Sequence, residues 1–394
     1  MILSLFIKCI RTYFSLILTK KKKQSCLLIP YFESYGGTKT YFMSLIKFLS
    51  KNNYDITVML SSNQLDNEIK KLKEAYPFKI EILEIDIWRT RFQKPLSSRT
   101  NKNYLIYQLK ELLYFWNFLR NTRSSMIICS IGNPEELLFL FLSPVKMLYI
   151  IHTATMDRLD KVKRLLLNFR LAKNRQIITV SNFAKKYILQ NWTGGRNTNY
   201  IQVVHNYYQP TTNNIQNKEI ETPTILTIGA MVFYKNPIFW IEVCMEVLAK
   251  YSRPVKFIWA GDGPLLEECR TIVKYHPQIQ FIGFQKNVEQ LYAQCSVYFQ
   301  PSIHESHGIA VLGAMYFEKP CVVANRGGLS ESVVSNETGY IVDINHSENS
   351  AVALVSILKD YAINTEMGKK GRKRFDELFT LEIWENKMNL ILNN

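Results

Sequence analysis

Glu305, Lys235 and His152 are the side chains whose type and setting could do chemistry. A run opening with Gly308 and the pair Gly327-Gly328 follow Glu305 in the chain, and another pair, Gly36-Gly37, stands near its start. Glu305 sits in a loop that follows an apolar run ending at Gln300 and leads into a helix beginning around Gly308, Ile309 and Ala310. Small residues at a helix start leave the first amide groups uncovered. That end carries free N–H groups and a partial positive charge, so it receives phosphate well. A carboxylate just ahead of it can accept hydrogen bonds from hydroxyl groups. A ligand with a phosphate end and a polyol end, such as a nucleotide-sugar, fits this order of parts. An ordinary strand-loop-helix with a solvated Glu fits the spacing equally.

The elements that must position these residues alternate along the chain. Residues 299–342 read as strand, loop, helix, strand, loop, short helix, strand, with Pro301 and Ser302 breaking the first strand and Pro320 stopping the helix. Gly327 and Gly328 mark a turn in which paired glycines supply positive φ. Near the start, residues 25–29 form a continuous apolar run, as a buried parallel strand does. A loop with Gly36 and Gly37 follows, and then Tyr41, Phe42, Leu45, Ile46, Phe48 and Leu49 recur at helical spacing. Strand, glycine loop and helix make the first βα unit of a nucleotide-binding type of domain. The pair lets backbone approach a ligand, although a plain tight turn uses the same residues. Further strands are predicted at 56–60, 80–87, 126–130, 147–151 and 177–180, with a helix opening at 133–136 and Ser181 as a helix N-cap. His152 ends the strand at 147–151, where parallel sheets place ligands. The aromatic residues of a helix over 104–119 are assigned to the core, and the basic stretch 92–103 to a loop. The pattern restarts at 224–229, with Lys235 in the loop after that strand, and helices close the chain over 351–394. Alternation in both halves predicts an α/β protein of two doubly wound domains facing a cleft.

Composition sets the bounds. The chain has 394 residues, enough for two domains, and a net charge of +16, which favours anionic partners: nucleic acid, acidic lipid or phosphorylated substrates. The charge is spread along the chain and no nucleic-acid motif accompanies it, so a nucleic-acid partner is not expected. The seven cysteines are scattered and read as reduced thiols of a cytosolic fold. His304, Glu305 and His307 lack a further ligand cluster, so no metal site is assigned. Residues 1–23 are apolar, interrupted by Lys8 and Arg11 and closed by Lys20 to Lys23. The run is too short and too charged to span a bilayer, and its charges are misplaced for a secretory signal. It suits an interfacial helix on an anionic leaflet, or a helix packed on the protein's own surface.

The run Pro301, Ser302, Glu305, Gly308, Ile309 and Ala310, followed by Lys319-Pro320, Gly327-Gly328, Glu331 and Gly339, resembles the donor-binding signature of the retaining glycosyltransferases of family 4. The resemblance runs from about Ser25 to the C-terminus and is densest after Thr224. It implies the GT-B fold, two Rossmann-like domains, and a retaining, metal-independent hexosyltransferase. Such an enzyme would move a sugar from a UDP- or GDP-sugar to a lipid-linked or cell-surface glycan, with no cofactor. On this reading His152, Glu305 and Lys235 are catalytic. Donor binding falls to Gly36, Gly37, Lys235, Glu305, Ser306, His307, Gly308, Ile309, Ala310 and Gly313. The implied layout is a basic membrane-associating segment (1–23), an acceptor-side domain (24–208), a linker (209–223), a donor domain (224–375) and a terminal helix crossing back (376–394). The protein is expected to be cytoplasmic and peripheral on the inner face of the plasma membrane. Two positions depart from the pattern: Gly313 stands where the family has a second Glu, and Ala230 where it has Arg. Those departures leave a non-catalytic GT-B scaffold or partner subunit as the alternative.

Overall fold

The structure is a computed structural model that describes residues 2–20, 24–30, 37–60, 65–82, 102–130, 145–153, 158–211, 215 and 221–393. The chain forms two compact units. The first is Met1–Thr179 with Lys185–Val203, and the second is Val180–Ala184 with Val204–Asn394.

The first unit holds a seven-stranded parallel sheet. Its strands are β1 (Ser25–Ile29), β2 (Asp55–Leu60), β3 (Lys79–Ile82), β4 (Met126–Ser130), β5 (Lys146–Ile151), β6 (Arg175–Thr179) and β7 (Ile201–Val203). They lie in the order β3-β2-β1-β4-β5-β6-β7. The register puts Cys26 opposite both Ile56 and Met126, with β1 between its two neighbours. The central strands are apolar without alternation because helices cover both faces. Among the described residues five α-helices lie wholly within this unit: α1 (Ile2–Leu18), α2 (Gly37–Lys51), α3 (Asn67–Ala75), α4 (Lys102–Thr122) and α5 (Lys161–Arg170). A sixth, α6 (Asn182–Ile188), begins in the second unit. The periodic residues of α2, from Tyr41 to Leu49, are buried as predicted. In its first turn Lys39 is buried as well, ion-paired to Asp66 and Glu68. Asp66 also caps α3 by accepting the N–H groups of Glu68 and Ile69.

In α4, Phe115 and Trp116 enter the core as expected, whereas Tyr114 faces solvent. The helix α1 meets both demands on an amphipathic segment. Cys9 and Leu16 pack inward and the Tyr13 ring lies 5.0 Å from that of Trp116. Leu3, Phe6, Ile7, Ile10, Phe14, Ile17 and Leu18 form an outward stripe at helical spacing. Among the described residues no helix is long and apolar enough to cross a membrane. The strand expected over 80–87 is described to Ile82, while the helix opening at 133–136 and the loop over 92–101 lie outside the described residues.

The second unit repeats the plan. Its six-stranded parallel sheet runs β10-β9-β8-β11-β12-β13. The strands are β8 (Thr224–Ile228), β9 (Lys256–Ala260), β10 (Ile279–Gly283), β11 (Val297–Gln300), β12 (Cys321–Ala324) and β13 (Gly339–Val342). Helices α7 (Pro237–Lys250), α8 (Leu266–Ile272), α9 (Glu289–Gln294), α10 (Ile309–Tyr316), α11 (Leu329–Ser332) and α12 (Ser347–Lys359) alternate with them. Two more, α13 (Tyr361–Leu378) and α14 (Leu381–Asn393), close the chain. One face of the sheet packs on Trp240 and Trp259, whose rings meet edge to face at 5.4 Å, with Phe257, Phe281 and the apolar side of α12. The other packs on Tyr292, Leu312, Met315 and Phe375. All seven cysteines of the chain are buried.

Candidate active site

In a doubly wound sheet, the chain leaves the switch point in opposite directions, and ligands bind at the carboxyl ends of the two strands that flank it. In the second unit those strands are β8 and β11, paired through Ile225 with Val297 and Leu226 with Tyr298. The loop after β8 carries Lys235, and the loop after β11 carries Glu305. The two side chains meet in an ion pair, each about one-sixth exposed, at 17% and 18%.

The loops are sewn together by backbone groups. The Tyr234 carbonyl accepts the Ile303 N–H at 2.8 Å, and the Asn236 side chain donates to the Pro301 carbonyl at 3.3 Å. A buried polar chain fixes the strand ends below. Thr227 donates its hydroxyl to the Phe299 carbonyl at 2.6 Å. The Tyr298 hydroxyl accepts the Ile228 N–H at 3.3 Å and donates to the Gln300 amide oxygen at 2.6 Å. The Gln300 amide donates onward to the Ser302 hydroxyl at 2.7 Å. Groups so satisfied in the interior hold one geometry, because any other leaves a buried polar atom unpaired.

Gly308 ends the Glu305 loop at φ +84°, a left-handed conformation that a side chain would strain. The ladder of α10 opens with the Val311 N–H on the Gly308 carbonyl at 3.0 Å. Ile309 and Ala310 form the uncapped first turn, with no side-chain cap on it. Thus a carboxylate, an ammonium group and a helix N-terminus come from the loops of one switch point.

The paired glycines at 327 and 328 have a different reason from the expected one. Only Gly327 has positive φ, +61°, while Gly328 sits at −84°. Both are required by space. A Cβ on Gly327 would lie 1.9 Å from the Glu305 carbonyl oxygen, and one on Gly328 would lie 2.0 Å from that of Ser306. The turn clamps the backbone under Glu305, and the Gly328 N–H donates to the Glu305 carbonyl at 2.9 Å.

Ser306 and His307 are buried side chains. His307 stacks on His205 at 5.0 Å and meets the edge of Phe379 at 5.3 Å. Burial pushes the His307 ring down to about 3, so it is neutral. Gly313 is also enclosed. A Cβ there would fall 2.7 Å from the Tyr292 ring, whose hydroxyl donates to the Ala310 carbonyl at 2.9 Å. The tyrosine thus fills the space in which a side chain at 313 would begin. Ala230 is exposed in the loop after β8.

His205 and Glu331 form a cluster that sequence reasoning missed as a unit. One Glu331 oxygen accepts the Asn182 N–H at 2.8 Å and the His205 Nε2–H at 3.1 Å. The other accepts the Phe183 N–H at 2.6 Å. Burial alone would raise the carboxyl group. The bonds from His205, Asn182 and Phe183 outweigh it and hold Glu331 at about 2. A cavity of about 480 Å³ opens beside it, lined among others by Asn182, His205, Glu331 and Arg374 but not by Lys235 or Glu305. The only advance signal was Glu331 itself, since its partners are remote in sequence.

His152 and Gly37 belong to the first unit, and Gly36 lies outside the described residues. His152 follows β5, where its Nε2 lies 3.5 Å from the Ser130 hydroxyl at the end of β4. The Tyr41 ring meets it edge-on at 4.5 Å. Withdrawal from water pushes this imidazole down to about 4, leaving it neutral near pH 7. Among the described residues no group of His, Cys, Asp or Glu could hold a metal ion.

Two sheets of this order, each with its own switch point, define the GT-B class of folds, as the resemblance implied. Anabaena HepE, solved in complex with UDP and glucose, aligns over 94% of this chain and all of its own at a TM-score of 0.70 and 16% identity. Residues 209–374 match the model of the glycosyl transferases group 1 family. The N-acetyl-alpha-D-glucosaminyl L-malate synthase of Bacillus anthracis is 30% identical over 147 residues, 36% of this chain and 39% of that protein. The UDP-Gal:alpha-D-GlcNAc-diphosphoundecaprenol alpha-1,3-galactosyltransferase of Escherichia coli is 24% identical over 160 residues, 39% and 41% of the two chains. The match thus spans about two-fifths of the length of these relatives.

Proposed function

We propose that this chain is a glycosyltransferase that moves a hexose from a UDP- or GDP-sugar to a lipid-linked or cell-surface glycan, with the second unit holding the donor and the first the acceptor. The observation that carries this is the Lys235–Glu305 pair, delivered by the two switch-point loops beside the first turn of α10. Breaking a glycosyl phosphate bond leaves negative charge on the diphosphate, and fixed positive groups at that point lower the barrier. Lys235 and the amides of Ile309 and Ala310 supply them, without a metal ion. Glu305, freed as the incoming diphosphate draws Lys235 to itself, holds sugar hydroxyls and orients the donor. For His152, Gly36 and Gly37 the proposal keeps the roles that the resemblance implies, toward the reacting sugar and the donor. Ser306 and His307 act from beneath the loop, and Gly313 by the room Tyr292 takes there. The retaining course and membership of family 4 rest on the signature around Glu305.

The Escherichia coli relative names a diphosphoundecaprenol acceptor, and HepE was solved with UDP. The outward apolar stripe of α1, edged by Lys8 and Arg11, suits a peripheral position on the anionic inner face of a plasma membrane. A panel of UDP- and GDP-sugars in thermal shift tests the reading. One sugar nucleotide should raise the melting temperature with rising concentration, and transfer should survive chelation of divalent metal. Tyr292 over Gly313 favours a second reading, a GT-B scaffold without catalysis. No shift from any donor, by a chain that melts cooperatively, would favour the scaffold.

A further inference from the structure

Helix α5 is built inside out. Its sequence, KVKRLLLNFR, puts Val162, Leu165, Leu166 and Phe169 on one stripe at helical spacing, the pattern that normally faces a core. Here the stripe faces solvent, with exposures of 68%, 62%, 50% and 80%. The inward side is largely polar. Leu167 is its buried apolar residue, while Asn168 donates to the Thr193 carbonyl at 2.9 Å and Arg164 to the Leu159 carbonyl at 3.4 Å. Asn197 donates to both oxygen atoms of Asn168 at 2.9 and 2.8 Å, locking the helix about its axis. Asp160 caps its start by accepting the Lys163 N–H at 2.9 Å. These anchors keep the apolar stripe outside.

The helix itself carries charges of one sign, and the Asp160 carboxylate that caps its start lies 3.7 Å from Lys163. At 100° per residue, Lys163 and Arg170 fall along one border of it and Lys161 along the other, and the helix has no acidic residue. An apolar stripe between basic borders complements an anionic bilayer. Apolar side chains enter the acyl boundary while lysine and arginine heads reach the phosphates. A protein partner of ordinary composition would not require borders of a single sign.

We propose that α5 is an interfacial helix that seats the first unit on an anionic lipid surface, as a second contact besides α1. The proposal deepens the reading of a membrane-borne acceptor and rests on it for its purpose. Vesicle binding is nevertheless measured without donor, so the two readings fail separately.

The test is sedimentation of the full chain with phosphatidylglycerol–phosphatidylethanolamine vesicles and with pure phosphatidylcholine vesicles. The proteins compared are the natural chain, Leu165→Glu with Phe169→Glu, and Phe6→Glu with Ile10→Glu. All four positions are exposed, so thermal melting should not move. The natural chain should prefer the anionic vesicles, and the α5 double variant should bind them about tenfold or more weakly, with its nucleotide-sugar response unchanged. Undiminished binding by that variant would overturn the proposal. So would equal binding to phosphatidylcholine, or a chain that ignores vesicles and instead forms a dimer, by analytical ultracentrifugation, that the α5 variant splits. Vesicle binding without any nucleotide-sugar response would leave α5 in place and remove the transferase reading.

Discussion

At the scale of single residues, Gly313 shows why a departure from a motif needs its neighbours to be understood. The sequence shows an absent carboxylate, whereas the structure shows a buried Tyr292 ring 2.7 Å from where a Cβ would be. Gly313→Ala should therefore cost about 1–3 kcal/mol, as overpacking does, and Tyr292→Leu should absorb much of that cost. Urea unfolding of the two single variants and the double variant checks this; strictly additive losses would speak against it. His307 makes a second prediction. Its ring stays neutral in the folded chain down to about 3, and that of His152 down to about 4, whereas in the unfolded chain both take a proton near 6.5. The depressed values mean that the unfolded chain binds more protons, so stability present above that pH is lost as pH falls towards them. His307→Phe, which keeps the stack, should recover about 2 kcal/mol at pH 5 relative to its effect at pH 7. Equal effects at both pH values would refute the assignment.

At the scale of elements, most of the fold was legible and its polar stitching was not. The central strands of both sheets announce themselves as short apolar runs because parallel strands are buried on both faces. The helix after Gly37 announces itself by period, since its apolar residues have one core to meet. The same rule misleads at α5, where the stripe from Val162 to Phe169 faces outward and hydrogen bonds from Asn168 and Arg164 fix the inner side. Periodicity reports that a helix is two-faced, and it does not report which face meets protein. The Glu331 cluster was hidden for another reason: its donors at 182, 183 and 205 are remote in sequence from position 331. Because its carboxyl group is held at about 2 against an ordinary 4.5, its contribution is present above pH 4.5 and lost as pH falls towards 2. Glu331→Gln should destabilise the chain at pH 7 by about 1–3 kcal/mol and flatten stability against pH below 4.5. An unchanged acid limb in chemical unfolding would contradict this.

At the scale of the whole molecule, two parallel sheets share one strand order, the first with a further strand, β7, at its edge. The sequence displays this plan because β-α-β alternation restarts after a polar stretch, near Thr224. The net charge of +16 acquires a use at this scale, in the one-signed borders of α5 and the basic edge of α1. Donor and acceptor identity were not legible, since they depend on side-chain detail around a shared scaffold rather than on the scaffold.

In the proposed site Glu305 reads the sugar and Lys235 the diphosphate. Calorimetric titration separates the two roles, using the sugar nucleotide found by thermal shift and its nucleoside diphosphate on the natural chain, Glu305→Gln and Lys235→Ala. The natural chain should bind the sugar nucleotide more tightly than the diphosphate. Glu305→Gln should lose that difference while keeping diphosphate affinity, and Lys235→Ala should weaken both ligands by about tenfold or more. Titrations of the two variants that match the natural chain for both ligands would contradict it.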